Sequence, residues 1–389
     1  MALIPTDEQE SLREVMKSFL ARYSSEADVR AVMDGSEGYD AKAWQLAAEQ
    51  IGVQALAIPE EVGGAGYGFD ELAIVMEEAG RTLFPAPLMS TAVLATSALL
   101  AVGGPEVQGY LTRIATGELI ATVAVSEELL HWDSVDVTTA AEPVGDAWRL
   151  TGTKPYVLDG AQAELVIVAA RTAAGVSLFA VDAGAEGLSV ELLDSMDQTR
   201  KLARVTLDRT PATLLGQDGT GWELLEQVYD RALAALACEQ VGGARAALEM
   251  TVEYINMRQQ FGRAIGSFQA IKHRCADLLV EVESARSAAA YASTAVAAGA
   301  NDASVAAAIA KVYCSQTFYH VAAECIQMHG GIGFTWEHPA HLYFKRAKSS
   351  EALFGWPAHH RERIATLIGL GKPAPRRGRL LSGMPSLDP

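Results

Sequence analysis

Residues 254–269 read YINMRQQFGRAIGSFQ. Tyr254 and Arg258 stand one turn apart on a single helix face. Gly262 and Gly266 interrupt that helix, which brings Arg258 and Phe261 to an exposed end. A guanidinium beside an aromatic ring suits a dinucleotide, with charge for the pyrophosphate and a flat face for a base. Taken alone, the same residues read first as a surface arginine and a packed Phe at a helix end. A second stretch, QMHGGIGFTWEHP at 327–339, follows another long apolar segment. Its glycines let backbone amides approach a ligand, and Gln327 can donate and accept hydrogen bonds. Alone it is a helix C-cap and a turn.

Both stretches lie in an alanine-rich region. Periodic segments near 222–257, 267–298, 302–328 and 339–354 predict an antiparallel four-helix bundle, where small residues allow close packing. Upstream, ATVAVS, WRLTGTK, ELVIVAA, VSLFAVD, LSVELL and ARVTLD are short runs rich in Val, Leu and Thr, separated by Gly, Asp and Pro. They predict an antiparallel barrel or sandwich without crossover helices. Residues 6 to 118 read as helices, the first opened by a Thr6/Gln9 capping box, others near Ala41–Ile51 and Asp70–Arg81. The uncharged stretch Phe84–Gly104 carries Pro85, Pro87, Ser90, Thr91, Thr96 and Ser97, and reads as one buried helix rather than a membrane span. The fold class is therefore α+β: an N-terminal helical domain (1–119), a middle antiparallel β-barrel domain (120–217), a C-terminal four-helix bundle (218–372) and a flexible tail (373–389).

The 389 residues carry 31 Lys and Arg against 48 Asp and Glu, a net charge of −17. That balance argues against nucleic acid and anionic membrane as partners, since both need a positive surface. The four cysteines form no CxxC, and the histidines lack metal-site spacing, so no disulfide framework or metal is expected. No GxSxG elbow marks a hydrolase. The N-terminus lacks the pattern of a signal peptide, which places the expected compartment in the cytoplasm.

Together, the two stretches in a bundle that follows a β domain resemble the acyl-CoA dehydrogenase family. IGVQALAIPEEVGGAGYGFDELAIVMEEAGR and TGTKPYVLDGAQAELVIVAAR add to the resemblance, which covers nearly the whole chain. It implies non-covalent FAD, an acyl-CoA substrate, a tetramer, and electron transfer to an electron-transfer flavoprotein in lipid or fatty-acid β-oxidation. Arg258, Gln260 and Phe261 match positions that reach the FAD of a neighbouring subunit; Phe268, Gln269, Gln327, Gly330 and Gly331 match further dinucleotide contacts. Val125 and Ser126 match a pair beside the flavin. Tyr156 and Leu158 stand where the family has Trp and a hydroxyl residue, so the aromatic wall is kept and a hydroxyl is lost. Phe354, Gly355 and Leu236 match positions that face the acyl group.

The family's catalytic glutamate is missing. In the medium-chain type its position, counted from Gln327, is Phe354, whose backbone N–H would still serve the thioester carbonyl. The alternative position on the first bundle helix is Ala232, followed by Leu233. Glu239, in apolar surroundings two turns further along, is the expected substitute base; Glu351 and Asp230 are the alternatives. Against these stand a buried ion pair for Glu239, with Arg245 or a partner subunit, and a surface charge near Lys348 for Glu351. His329, before Gly330, reads as near the FAD or as a solvated helix end.

Two functions follow from the resemblance: a dehydrogenase with an unusual base and a bulky or branched acyl group, such as a sterol side chain, or a non-catalytic half-site subunit of a heteromeric dehydrogenase. A family member doing different flavin chemistry, such as an oxidase, is a third.

Overall fold

The computed structural model describes residues 6–370 other than 36, 129 and 146; the tail assigned to 373–389 lies outside them. The N-terminal region comprises α1 (Asp7–Tyr23), α2 (Glu26–Asp34), α3 (Ala41–Gln50), α4 (Phe69–Arg81), α5 (Thr96–Val102) and α6 (Gln108–Ala115). The capping box is present: Gln9 N–H donates to Thr6 Oγ1 at 3.2 Å and Thr6 N–H to Gln9 Oε1 at 3.1 Å. The uncharged stretch is not one α-helix. Leu88–Ala95 winds as a π-helix that runs into α5, and residues 88–99 are all buried. Helices α2 and α6 are additions to the elements read from periodicity.

The middle region holds β1 (Ala121–Ala124), β2 (Ala140–Val144), β3 (Ala147–Leu158), β4 (Leu165–Arg171), β5 (Val176–Asp182), β6 (Leu188–Leu192) and β7 (Leu202–Leu215). Pairing runs β4–β5–β7–β3–β2 and returns to β4, closing a ring of strands. Most pairs are antiparallel, but two depart from the expectation. β1 lies parallel to β4 over Ala121–Ala124, and β2 closes on β4 through one parallel pair, Ala140 with Arg171. The β2–β3 hairpin between β1 and β4 lets two strands run the same way without a crossover helix.

The bundle comprises α7 (Gly221–Met257), α8 (Gln269–Ala297), α9 (Ala303–His329) and α10 (Ala340–Ala352), followed by α11 (Pro357–Leu367), with a small hairpin of β8 (Gln259–Gln260) and β9 (Arg263–Ala264) after α7. Its crossing with α4 depends on glycine. A Cβ on Gly80 would lie 2.1 Å from the Glu239 carbonyl oxygen, and one on Gly242 only 1.8 Å from that of Glu77. The two backbones therefore touch, which fixes the rotation of α7 and the direction of every side chain on it. Among the described residues no helix is long and apolar enough to cross a membrane.

Candidate functional site

At the end of α7, Arg258 N–H bonds the Tyr254 carbonyl at 2.8 Å, and the chain turns into the β8–β9 hairpin. Phe261 and Gly262 form its tip at φ 54° and 75°. Phe261 is 92% exposed, edge-on to Phe268, whose ring carries the Arg263 guanidinium at 3.9 Å. Arg258, Gln260 and Gln269 are exposed, and Arg258 forms no ion pair among the described residues. At the end of α9, Gln327, Gly330 and Gly331 are exposed, and a Cβ on either glycine would meet only open space.

His329 joins the two ends. It is buried, its Nδ1–H donates to the Cys325 carbonyl at 2.7 Å, and its ring stacks on Tyr254 at 4.3 Å. It is therefore no solvated helix-end residue; burial lowers its pKa and keeps it neutral. The structure thus gathers the residues expected to touch a dinucleotide on one exposed, cationic and aromatic end of the bundle.

The positions expected beside a flavin ring also meet, at a second place. Val125, Ser126, Tyr156 and Leu158 line one cavity with Phe354, expected at the acyl group, and with Leu94, Leu130, Trp132 and Leu353. Its volume is about 20 Å³, room for about one water molecule. Tyr156 is half exposed, whereas Val125, Leu158 and Phe354 are buried. Phe354 takes φ 58°, a left-handed conformation that a bulky residue rarely adopts. Its carbonyl accepts from Tyr229 Oη at 2.6 Å and His360 Nε2 at 2.9 Å, and its N–H has no partner among the described residues. Gly355, at φ 101°, leaves no space for a Cβ, which would lie 2.9 Å from that of His131. Leu236 is fully buried in the apolar core and faces no opening.

Glu239 is not a free base in apolar surroundings, which corrects the expectation. Its Oε1 accepts from Arg200 Nη2 at 2.5 Å and Arg346 Nη1 at 2.7 Å. Arg346 continues to Asp197 Oδ2 at 2.9 Å and to Thr199, and Ser349 donates to the same Asp197 oxygen. This network ties α7 and α10 to the segment before β7. Arg245, the partner considered from sequence, pairs with Glu249 instead. The alternative bases are also engaged: Glu351 with Lys348 at 2.6 Å, and Asp230 with Arg363 at 2.7 Å and Ser304. The Glu239 carboxylate is thus committed to two guanidinium groups and to the scaffold they hold together.

Sequence reading missed several residues that shape the site. Lys154, fully buried, donates to the Val125 carbonyl at 3.0 Å and to Glu127 at 2.6 Å. Glu127 also accepts from the Thr138 and Thr139 amides. Burial alone would raise its pKa, but the Lys154 charge and these hydrogen bonds outweigh burial and take it down to about 2. The pair anchors the turn after β1. A signal was present: Lys154 shares its strand parity with Leu150, which is also fully buried. Lys311, buried in α9, donates to the Ser350 and Glu351 carbonyls and caps the end of α10 just before Phe354. Among the described residues no cluster of His, Cys, Asp and Glu could hold a metal ion.

Comparison with known proteins matches residues 6–118 to the acyl-CoA dehydrogenase N-terminal domain and residues 219–368 to the acyl-CoA dehydrogenase C-terminal domain. Acyl-CoA dehydrogenase IpdE2 of Mycobacterium tuberculosis is 38% identical over 368 residues, covering 94% of this chain and 99% of that protein. A variant of the Tcur3481-Tcur3483 steroid ACAD superposes with a TM-score of 0.84 at 33% identity, over 93% of this chain and 98% of that one. A chain of the ChsE4-ChsE5 complex from Mycobacterium tuberculosis gives 0.86 at 28% identity, over 96% and 100%.

Proposed function

Because the chain belongs to the acyl-CoA dehydrogenase family, we propose that it is the half-site subunit of a heteromeric, FAD-dependent acyl-CoA dehydrogenase. It lends its Arg258 end to FAD whose ring lies in a homologous partner, and the partner supplies the catalytic carboxylate. The observation that carries this reading is the contrast between two places. The dinucleotide end is open and cationic, whereas the ring site holds a cavity of about 20 Å³ with no free carboxylate assigned to it.

When bound, FAD accepts the hydride that leaves the β-carbon of the acyl thioester. In this chain, Arg258 pairs with the pyrophosphate and Phe261 offers a face to the base. Gln327 and the amides around Gly330 and Gly331 hydrogen-bond the ribose and phosphates, with Gln260, Phe268 and Gln269 alongside. The residues at the ring site do not fit a bound isoalloxazine as they stand, so no chemical step is assigned there. The two-component name of the ChsE4-ChsE5 complex supports a heteromer, and the steroid ACAD makes a bulky, ring-derived acyl-CoA the substrate to test first. Electrons would leave through an electron-transfer flavoprotein.

The test is anaerobic titration with a panel of acyl-CoAs, following flavin absorbance. It is run on the chain alone and on the chain assembled with a homologue that keeps the family's catalytic glutamate. Expected are no FAD on the chain alone, one FAD per pair of unlike chains in the assembly, bleaching by substrate, and loss of FAD in Arg258→Ala. A chain that alone retains FAD and bleaches overturns the reading.

A further inference from the structure

We propose that Trp132 is an internal plug, a side chain that fills this chain's own flat-ring site and so makes its half-site one-directional. The inference rests on the half-site reading and names the residue responsible for it.

Trp132 lies between β1 and β2 and is only 7% exposed. Its indole stacks on Tyr229 with centroids 5.3 Å apart and planes 22° from parallel, and meets Phe354 edge-on at 5.8 Å. These are the geometries in which aromatic rings attract. The walls it touches are themselves fixed, since Tyr229 donates to the Phe354 carbonyl and His360 donates to the same oxygen. Across the remaining cavity stand Leu94, Val125, Tyr156 and Leu158. A planar heteroaromatic system, slipped between Tyr229 and these residues, would need the volume the indole now takes.

The segment that carries Trp132 is held on both sides, which distinguishes a plug from a swinging lid. Before it, Glu127 is tied to Lys154 and to the Thr138 and Thr139 amides. Beside it, His131 stacks on His359 at 4.2 Å, and Asp133 caps the following turn by accepting from Val135 N–H at 3.1 Å. Moving Trp132 out would break contacts on α7, on α11 and within the barrel together. The site it fills takes a flat, largely apolar heterocycle. Ser126 is the one residue with an aliphatic hydroxyl among those lining the cavity.

Lumiflavin, a flavin ring without ribityl or nucleotide, probes the site directly, and indole probes the volume of the missing side chain. The full-length wild type, Trp132→Phe and Trp132→Gly are titrated with each by fluorescence and calorimetry, with near-UV circular dichroism and Tm recorded. Expected is no binding by wild type or Trp132→Phe. Trp132→Gly should bind indole at one per chain with a raised Tm, and bind lumiflavin at least about tenfold more tightly than wild type. Trp132→Ala, which also removes the indole but keeps a Cβ on the backbone, repeats the measurement if the glycine variant unfolds. Lumiflavin binding to wild type at this site overturns the plug, as does a folded Trp132→Gly or Trp132→Ala that takes up neither probe. The half-site reading fails separately, when the chain alone retains FAD.

Discussion

Tyr254, near the end of α7, stacks on His329, the last residue of α9, with ring centroids 4.3 Å apart and planes 29° from parallel. Each of the two informative stretches of sequence contributes one ring. The stack turns two helix ends that would otherwise be independent into one surface carrying Arg258, Phe261, Gln327 and the Gly330–Gly331 turn. Removing the ring in Tyr254→Ala should forfeit about 0.5–1.5 kcal/mol of aromatic pairing beyond lost burial. It should also weaken FAD retention by the assembled enzyme by about tenfold. Tyr254→Phe should stay near wild type in both respects. Flavin release on dilution, followed by fluorescence, measures the difference.

Lys154→Met should be among the most damaging single changes in the β domain. It leaves the buried Glu127 carboxylate without its cation and frees the Val125 carbonyl. Breaking one side of a buried pair costs about 3–5 kcal/mol. The double variant Lys154→Met/Glu127→Gln should recover part of that loss, which urea unfolding of the four proteins in a double-mutant cycle would show.

How much of this was legible in the sequence depended on how locally each feature is encoded. The Thr6 capping box, the glycine turns and the periodicity of the bundle helices are set by neighbours in the chain, and the structure carries them. The parallel pairing of β1 with β4 is not local, because strand direction is decided by which distant segment lies alongside. Glu239 shows the same limit at the site. Its sequence neighbours are small and apolar, yet its partners come from 39 residues before it and 107 after it. The aromatic filling of the ring site was equally hidden. Trp132, Tyr229, Phe354 and His360 belong to three regions of the chain and carry no mutual spacing.

Acid should loosen the neighbourhood of Phe354. Burial pushes His359 down to about 4, with His131 adding to the effect, and burial with Lys311 and His359 pushes His360 down to about 3. A histidine with a depressed folded pKa binds more protons unfolded than folded. Its contribution is therefore complete above the unfolded value near 6.5 and declines as pH falls through that value toward the folded ones. Thermal melts between pH 7 and pH 4 should show Tm falling. His360→Gln, whose amide can still donate to the Phe354 carbonyl but cannot titrate, should flatten part of the slope.

Gly242→Ala should destabilise far more than an alanine usually does in a helix. Helix propensity favours the change by about 1 kcal/mol. The new methyl, however, would lie 1.8 Å from the Glu77 carbonyl oxygen, and backbone cannot rotate aside as a side chain can. Helix α4 must move away from α7, with a net loss of about 1–3 kcal/mol or more. A Tm equal to or above wild type would show that the two helices are not in backbone contact.

Glu239→Gln separates structure from chemistry. With the carboxylate gone, Arg200 and Arg346 lose the anion they share, while Asp197 still holds Arg346. Both hydrogen bonds go to one oxygen, which the glutamine carbonyl can still supply, but without the charge. Stability should therefore fall by about 3–5 kcal/mol at most, and by less where solvent reaches Arg200. In the assembled enzyme, kcat per bound flavin should be unchanged, since the proton is taken elsewhere. Glu239→Gln and Arg346→Met should be strongly non-additive in urea unfolding, because each leaves the other's charge unmatched. Loss of flavin bleaching in a folded, FAD-loaded Glu239→Gln assembly would return this residue to the reaction and take it out of the scaffold.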